Sequence, residues 1–409
     1  MKKCLGIVLG IGIFTSSFAG GFQVALQGQK QTGMAHIGTP FKLDAASIYF
    51  NPGALPMLDK KVALSFGVSP IFSTVAFQNE EYNYNSTSDN PIGTPFSVYF
   101  NYIIKEKLSI GIGVYTPFGS SAKWDDDWEG RYLIQNIALK AIFIQPTIGY
   151  KITDNIGIGA GLIYATGSVE INKALPLPVG DATSTVNLQS KAKGFGGNIG
   201  IYADVAEKFH LGLTYKTAIK MKAEGGDVQM KGVPKALASS FPAENKFSTT
   251  LNLPGSINFG VGYDVTEKLK LAVEVNYVMW SVYDSLIFDF KTNTSSLEDS
   301  HNPRLYENTL AFRIGAEYEL NDMFTPRLGF YYDPSPIQDD YFSPETPNMD
   351  NLGFTAGLSY MPTERLSIDV SFLYIHGLKR TGVTYAPSNF GGDYKTSAVI
   401  PGIGLAYKF

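Results

Sequence analysis

The residues able to do chemistry in this chain are few and scattered. Its four histidines, His36, His210, His301 and His376, lie in no nucleophile motif, and an acyl-transfer enzyme needs a serine and a histidine within hydrogen-bond reach. Asp125, Asp126, Asp127 and Glu129 crowd one stretch, but they lack the spacing and glycine of a calcium loop, so a solvated loop suits them better. Three cations stand out: Lys270, Arg313 and Arg327 fall on the polar faces of alternating segments that also carry Glu274 and Glu317. They could brace neighbouring strands as ion pairs, or hold an anionic group beside an apolar space. No catalytic residue, metal site or cofactor is expected.

The elements that carry these residues are strands. In Leu108-Ser-Ile-Gly-Ile-Gly-Val-Tyr115 every second residue is large and apolar. In Lys268 to Tyr277 the apolar face is Leu269, Leu271, Val273, Val275 and Tyr277, and the other face is mostly polar. Period two with one apolar face is a half-buried strand. Lys2 and Lys3, the short apolar run Leu5–Phe14 and Ser17-Phe18-Ala19 read as a secretory signal peptide over residues 1–19, with the mature chain starting at Gly20. Cleavage would remove Cys4, the single cysteine, and shift the formal net charge from −4 to about −6, which argues against a nucleic-acid partner. Charged residues are only 17% of the chain, against about 25% in soluble domains. No later stretch holds 18 consecutive apolar residues, so no spanning helix is expected. An exported, aromatic-rich, glycine-rich chain of alternating strands points to an all-β, antiparallel outer-membrane barrel, its apolar face toward lipid.

Turns set the strand number. Similar short turns recur at residues 104–108, 152–156, 205–209, 265–269, 320–324 and 361–366, each an apolar residue, a few polar ones, then an apolar residue that starts a new alternating run. The intervals between them hold two strands and one long loop. With two strands before the first turn and two after the last, the barrel has 14 strands over residues 60–409, and both termini face the periplasm. The long polar connections, residues 78–95, 118–130, 172–191, 222–245, 291–303, 335–350 and 379–392, would face outward.

Residues 20–59 are left over and too apolar for a free tail. Ser47-Ile-Tyr-Phe-Asn-Pro-Gly-Ala-Leu-Pro-Met-Leu58 holds two prolines and a glycine, so it cannot form a helix interior or a central strand. A 14-stranded barrel is too wide for side chains alone to fill, and irregular backbone is tolerated at membrane depth when protein encloses it. The segment therefore reads as an N-terminal hatch, or plug, inside the lumen.

With these residues in place the chain resembles the FadL family of outer-membrane transporters of long-chain fatty acids and other hydrophobic compounds. The resemblance rests on Gly20-Gly-Phe-Gln23, Asn51-Pro52-Gly53 (alanine in the family at the third position), Tyr115-Thr-Pro-Phe-Gly119, Trp128-Glu-Gly-Arg-Tyr132, Leu251-Asn-Leu-Pro254, Trp280-Ser281 and Asp333-Pro-Ser-Pro336, in the family's order. It implies capture of a hydrophobic ligand among the outer loops, an apolar pocket closed by the N-terminus at Gly21 and Phe22, and lateral exit into the membrane at a kink in the third strand, Pro117, Phe118 and Gly119. Proline and glycine would themselves bend a strand there, although the same three residues could simply begin the second loop. Asn51, Pro52 and Gly53 would face the gap beside the kink, or form a plain tight turn. On that reading Gly53→Trp should block transport and leave the barrel folded. Lys270, Arg313 and Arg327 are the possible carboxylate partners. Leu175, Leu177, Val179, Val233, Leu237 and Phe241 would line the capture groove, or pack against neighbouring loops. The terminal strand Gly402–Phe409 resembles the assembly signal read by the barrel-assembly machinery. A monomer among outer-membrane lipid and lipopolysaccharide is implied.

The principal functional expectation is passive transport of long-chain fatty acids. A channel of the same fold for aromatic hydrocarbons is the alternative, and a loop-based adhesin or phage receptor the second. A general porin would need no hatch, and residues 20–59 argue against one.

Overall fold

The computed structural model describes residues 21–177, 184–294 and 296–409. The expected signal peptide and cleavage site, and Val179 of the capture groove, lie outside the described residues. Among these the strand segments number 21 and join a single antiparallel sheet. Several are halves of one strand interrupted by an irregular step, and the segments compose 14 barrel strands. They are β1 (Val62–Val68 with Phe72–Asn79), β2 (Tyr84–Thr87 with Phe96–Lys105), β3 (Leu108–Lys123), β4 (Asn136–Thr153), β5 (Ile156–Ala174), β6 (Thr185–Ala206) and β7 (Phe209–Lys216 with Ile219–Lys231). The circuit continues with β8 (Glu244–Leu253 with Ser256–Asp264), β9 (Leu269–Val278 with Ser285–Phe290), β10 (Ser300–Pro303 with Thr309–Tyr318), β11 (Phe324–Asp333), β12 (Asn351–Tyr360), β13 (Leu366–Gly377 with Arg380–Tyr385) and β14 (Phe390–Lys408). The sheet closes where β14 pairs with β1, Leu405 opposite Phe66.

The six short turns fall where the sequence puts them. β2 ends at Lys105 and β3 starts at Leu108, β4 ends at Thr153 and β5 starts at Ile156, and the other four follow suit. Outward positions such as Phe66, Ile112, Val273, Ile403 and Leu405 are exposed, and Leu162 and Phe195 are 74% and 73% exposed. A continuous belt of such residues is tolerable only against hydrocarbon. Inward positions are polar and buried, among them Gln145, Asn198, Thr214, Glu274 and Arg327.

The outer connections are shorter than expected, because strands continue past the lipid belt. β3 runs to Lys123, the loop expected over 172–191 is strand at both ends, and β7 and β8 take up half of 222–245. Above the hydrocarbon a strand keeps its hydrogen bonds with polar residues on both faces, so loss of apolar alternation marks lipid depth and not the end of pairing.

Residues 21–58 occupy the lumen. They include two one-turn helices, α1 (Gln29–Thr32) and α2 (Ser47–Phe50), and a 3-10 helix over Pro52–Met57. The stretch expected to exclude helix thus makes two short turns of it. Asn51 is extended, φ −156°, and divides them. Pro52 then opens the second turn, where its missing N–H has no partner to lose. Ile48, Phe50, Ala54 and Leu55 are buried. Gln145 and Asn198 on the inner wall donate to the Ile48 carbonyl at 2.8 and 3.1 Å, which satisfies backbone that no sheet can reach.

Candidate ligand pocket and lateral gate

The pocket begins with two interruptions at one level. β9 breaks over residues 279–284 and β10 over 304–308, and both breaks step into the lumen. They carry Trp280, Tyr283 and Tyr306, all buried. Phe22 sits among these rings, 5.0 Å from Trp280, 5.6 Å from Tyr283 and 6.1 Å from Phe118 between centroids. Gly21 adopts φ +57° directly against the Trp280 ring, a place and a conformation that suit only glycine. Above Phe22 lies a recess of about 750 Å³, a volume that includes its solvent-open part. Its walls are apolar, from Ile137 on β4, Val169 on β5, Met221 on β7, Leu251 and Leu253 on β8, and Phe288 on β9.

The cavity has one strongly polar corner. Arg304 is 3% exposed and pairs with Glu345, which reaches in from the loop between β11 and β12. The Arg304 Nε and Nη1 groups find no hydrogen-bond partner among the described residues. Two buried N–H donors beside an apolar space have hydrogen-bonding capacity to spare for a polar group on a bound molecule. Sequence reasoning missed Arg304 because it lies in an irregular break, where no alternation signals direction.

The cations expected to hold a carboxylate are not in this cavity. Lys270 lies 3.7 Å from Glu317 and 3.4 Å from Glu319, Arg313 lies 3.4 Å from Glu274, and Arg327 lies 2.6 Å from Glu317. They brace the barrel and the hatch instead. Arg313 donates to the His36 carbonyl, and Glu274 accepts from the backbone N–H groups of Gly38 and Thr39 at 3.3 and 3.0 Å. Glu274→Gln would leave Arg313 buried without its carboxylate, at a cost of about 3–5 kcal/mol. The expected result is earlier proteolysis within residues 21–58 on heating, read against an unchanged melting of the barrel.

The third strand is irregular around Pro117. β3 carries one extra residue relative to β4 between Tyr115 and Phe118, a β-bulge. β2 pairs with β3 only as far as Ser97 opposite Tyr115. Beyond that point the N-terminal segment takes the place of β2. The Val24 N–H donates to the Pro117 carbonyl at 2.8 Å, and the Gly119 N–H donates to the Phe22 carbonyl at 3.1 Å. Gln23 and Phe118 are antiparallel bridge partners. Three residues of hatch thus cover the wall at the kink.

Asn51, Pro52 and Gly53 do not face that gap. They pack against β5 and β6. The Asn51 amide donates to the carbonyls of Thr39 and Ile201 at 2.8 and 2.9 Å and accepts from the Gly53 N–H. Gly157 and Gly159 on β5 and Gly200 on β6 let the Pro52–Gly53 backbone lie directly on the sheet. A motif rich in backbone polarity seeks a wall of glycines, and β3 offers one only lower down, at Gly111 and Gly113 under Ile48.

The third and fourth loops do meet: the Ser184 hydroxyl donates to the Gly232 carbonyl at 2.8 Å. Leu175, Val233 and Phe241 pack against the apolar cluster beneath them, and Leu177 and Leu237 are half-buried.

A closed barrel with a lipid belt, an enclosed hatch and an apolar internal cavity is the architecture of an outer-membrane protein that handles hydrophobic small molecules. The chain belongs to the outer membrane protein transport protein family (OMPP1/FadL/TodX), whose signature matches residues 11–409. It is similar to outer membrane protein P1 of Haemophilus influenzae, 24% identical over 88% of this chain and 87% of that one. It is also similar to the long-chain fatty acid transport protein of Salmonella typhi, 23% identical over 100% and 98%. A Pseudomonas aeruginosa FadL homologue superposes with a TM-score of 0.81 at 19% identity, covering 95% of this chain and 100% of its own. The Pseudomonas putida toluene transporter TodX superposes at 0.74 and 14%, covering 94% and 99%.

Proposed function

We propose that the protein carries long-chain fatty acids passively across the outer membrane. The acyl chain would occupy the apolar cavity, its carboxylate at Arg304, and leave sideways past Pro117–Gly119 when Phe22–Val24 peel from β3. The third and fourth loops would capture it first. The observation that carries this reading is Arg304, buried at the edge of a largely apolar space with two donors that have no partner among the described residues. A lateral route keeps the chain out of periplasmic water, where each exposed CH₂ costs roughly 0.8 kcal/mol. Some of the curated relatives, the Salmonella typhi protein among them, are named as long-chain fatty acid transport proteins. The second reading, an aromatic hydrocarbon, is favoured by Glu345, which already neutralises Arg304, and by the toluene transporters among the structural neighbours.

The test is uptake of labelled oleate and labelled toluene by a Gram-negative strain lacking its own channels for both. Each charge-assisted hydrogen bond contributes about 1.5–3 kcal/mol. Arg304→Gln should therefore lower oleate uptake at limiting concentration by about tenfold or more and leave toluene uptake unchanged. Import of toluene alone by the unmodified protein would overturn the fatty acid reading in favour of the hydrocarbon.

A further inference from the structure

Just beyond the lipid belt, the outer face of β4–β7 carries five lysines, Lys140, Lys191, Lys193, Lys220 and Lys222, that form no ion pair among the described residues. All are exposed. Strand register places them on one outer surface. Lys140 on β4 is opposite Ser168 on β5, which is opposite Lys191 on β6. Lys193 on β6 is directly opposite Lys222 on β7, and Lys220 shares the face of Lys222 two residues below it. Like charges directly opposite across a strand pair are destabilising. Glu170 and Glu224 share this outer surface, yet neither closes an ion pair with any of the five.

The position of the patch says what would relieve the repulsion. Phe195 lies two residues below Lys193 on the same face of β6, 73% exposed and 5.2 Å from the Tyr164 ring. Leu162, Ile199 and Ile201 continue the apolar belt toward the short turns. The lysines therefore begin where the hydrocarbon ends, on the side away from the short turns, which is the cell-surface side. An amphiphile filling both features has acyl chains against Phe195 and Leu162 and anionic groups about 7 Å higher. We propose that this face of β4–β7 is a binding site for lipopolysaccharide, with the lipid A phosphates held by Lys191, Lys193 and Lys222 and flanked by Lys140 and Lys220.

The test titrates the purified, folded barrel in a non-ionic detergent with lipopolysaccharide and with its enzymatically dephosphorylated form, read by native mass spectrometry. The combined variant Lys191→Gln, Lys193→Gln, Lys222→Gln should bind lipopolysaccharide about 100-fold more weakly, at roughly a factor of five for each lysine near an anionic surface. Lys61→Gln, beside the periplasmic turns, should bind normally. The unmodified protein should lose a comparable factor when the lipid lacks its phosphates, and millimolar inorganic phosphate should not displace the intact lipid. Equal affinity of the unmodified protein for both lipids would overturn the proposal. So would equal affinity of the triple variant and the unmodified protein for intact lipid. The dephosphorylated lipid decides the question even if the triple variant does not fold.

Discussion

Gln23→Cys combined with Phe118→Cys should stop ligand uptake in the oxidising periplasm, and a reducing agent should restore it. The two residues face each other as an antiparallel bridge. The backbone hydrogen bonds run between their neighbours, Val24 to Pro117 and Gly119 to Phe22, so this is the closer type of pair, with Cα atoms about 4.5 Å apart. That separation suits a disulfide. The single native cysteine, Cys4, lies in the expected signal peptide, and Cys4→Ser in the same background removes it as a competitor. The crosslink would fix the N-terminal segment on the kink; because Phe118 also lines the cavity, ligand binding is compared with that of the Phe118→Cys single variant. Uptake should fall at least tenfold, to the level of a strain with no channel. The single variants, and the pair Gln23→Ser with Phe118→Ser, control for lost side chains. Full uptake by the verified, oxidised crosslinked protein would eliminate release at this seam.

The second large effect is at Gly53. A Cβ there would lie 2.7 Å from the Gly157 carbonyl oxygen and 2.8 Å from both the Gly200 oxygen and the Tyr202 nitrogen. All three are strand backbone and cannot swing aside. Even one added carbon strains a close-packed site by about 1–3 kcal/mol, and an indole cannot fit at all. Sequence reasoning expects Gly53→Trp to block the path. The geometry gives a different outcome: the hatch should come off β5 and β6 while β14 still closes on β1. Cells carrying this variant should leak, with sensitivity to a large antibiotic rising roughly tenfold or more, and residues 21–58 should become open to protease. A variant with a protease-resistant hatch and an unchanged permeability barrier would show that the Gly53 contact is dispensable.

What the sequence disclosed was local. Turns such as Ile152-Thr-Asp-Asn-Ile156 announce themselves within five residues, and alternation announces a strand within eight, so strand number and closure followed. Pro117 and Gly119 disclosed the kink because both act on their own backbone. The partners of the hatch were not local. Asn51 bonds to Ile201, 150 residues away, and the glycines that receive it have no signature apart from being glycines. Lys270, Arg313 and Arg327 were correctly turned inward by alternation, but alternation gives a direction and not a height, and their height is that of the hatch. Arg304 had neither cue, and its partner Glu345 lies 41 residues on, in a connection whose polar composition suggested open water.

If ligand leaves by the proposed lateral route, the seal at the kink also fixes how often that route stands open. It consists of two backbone hydrogen bonds and one buried phenylalanine. The bonds contribute about 0.5–1.5 kcal/mol each and the ring about 1.5–3 kcal/mol, so the latch holds with roughly 3–6 kcal/mol. An unlatched molecule is then about one in a hundred to one in tens of thousands at any instant. A ligand that contacts the unlatched form better by that margin turns a rare fluctuation into the dominant state. No nucleotide or ion gradient has to be coupled to such a latch. Net flow follows the concentration difference and reverses with it, and whatever consumes the ligand inside the cell sets the direction.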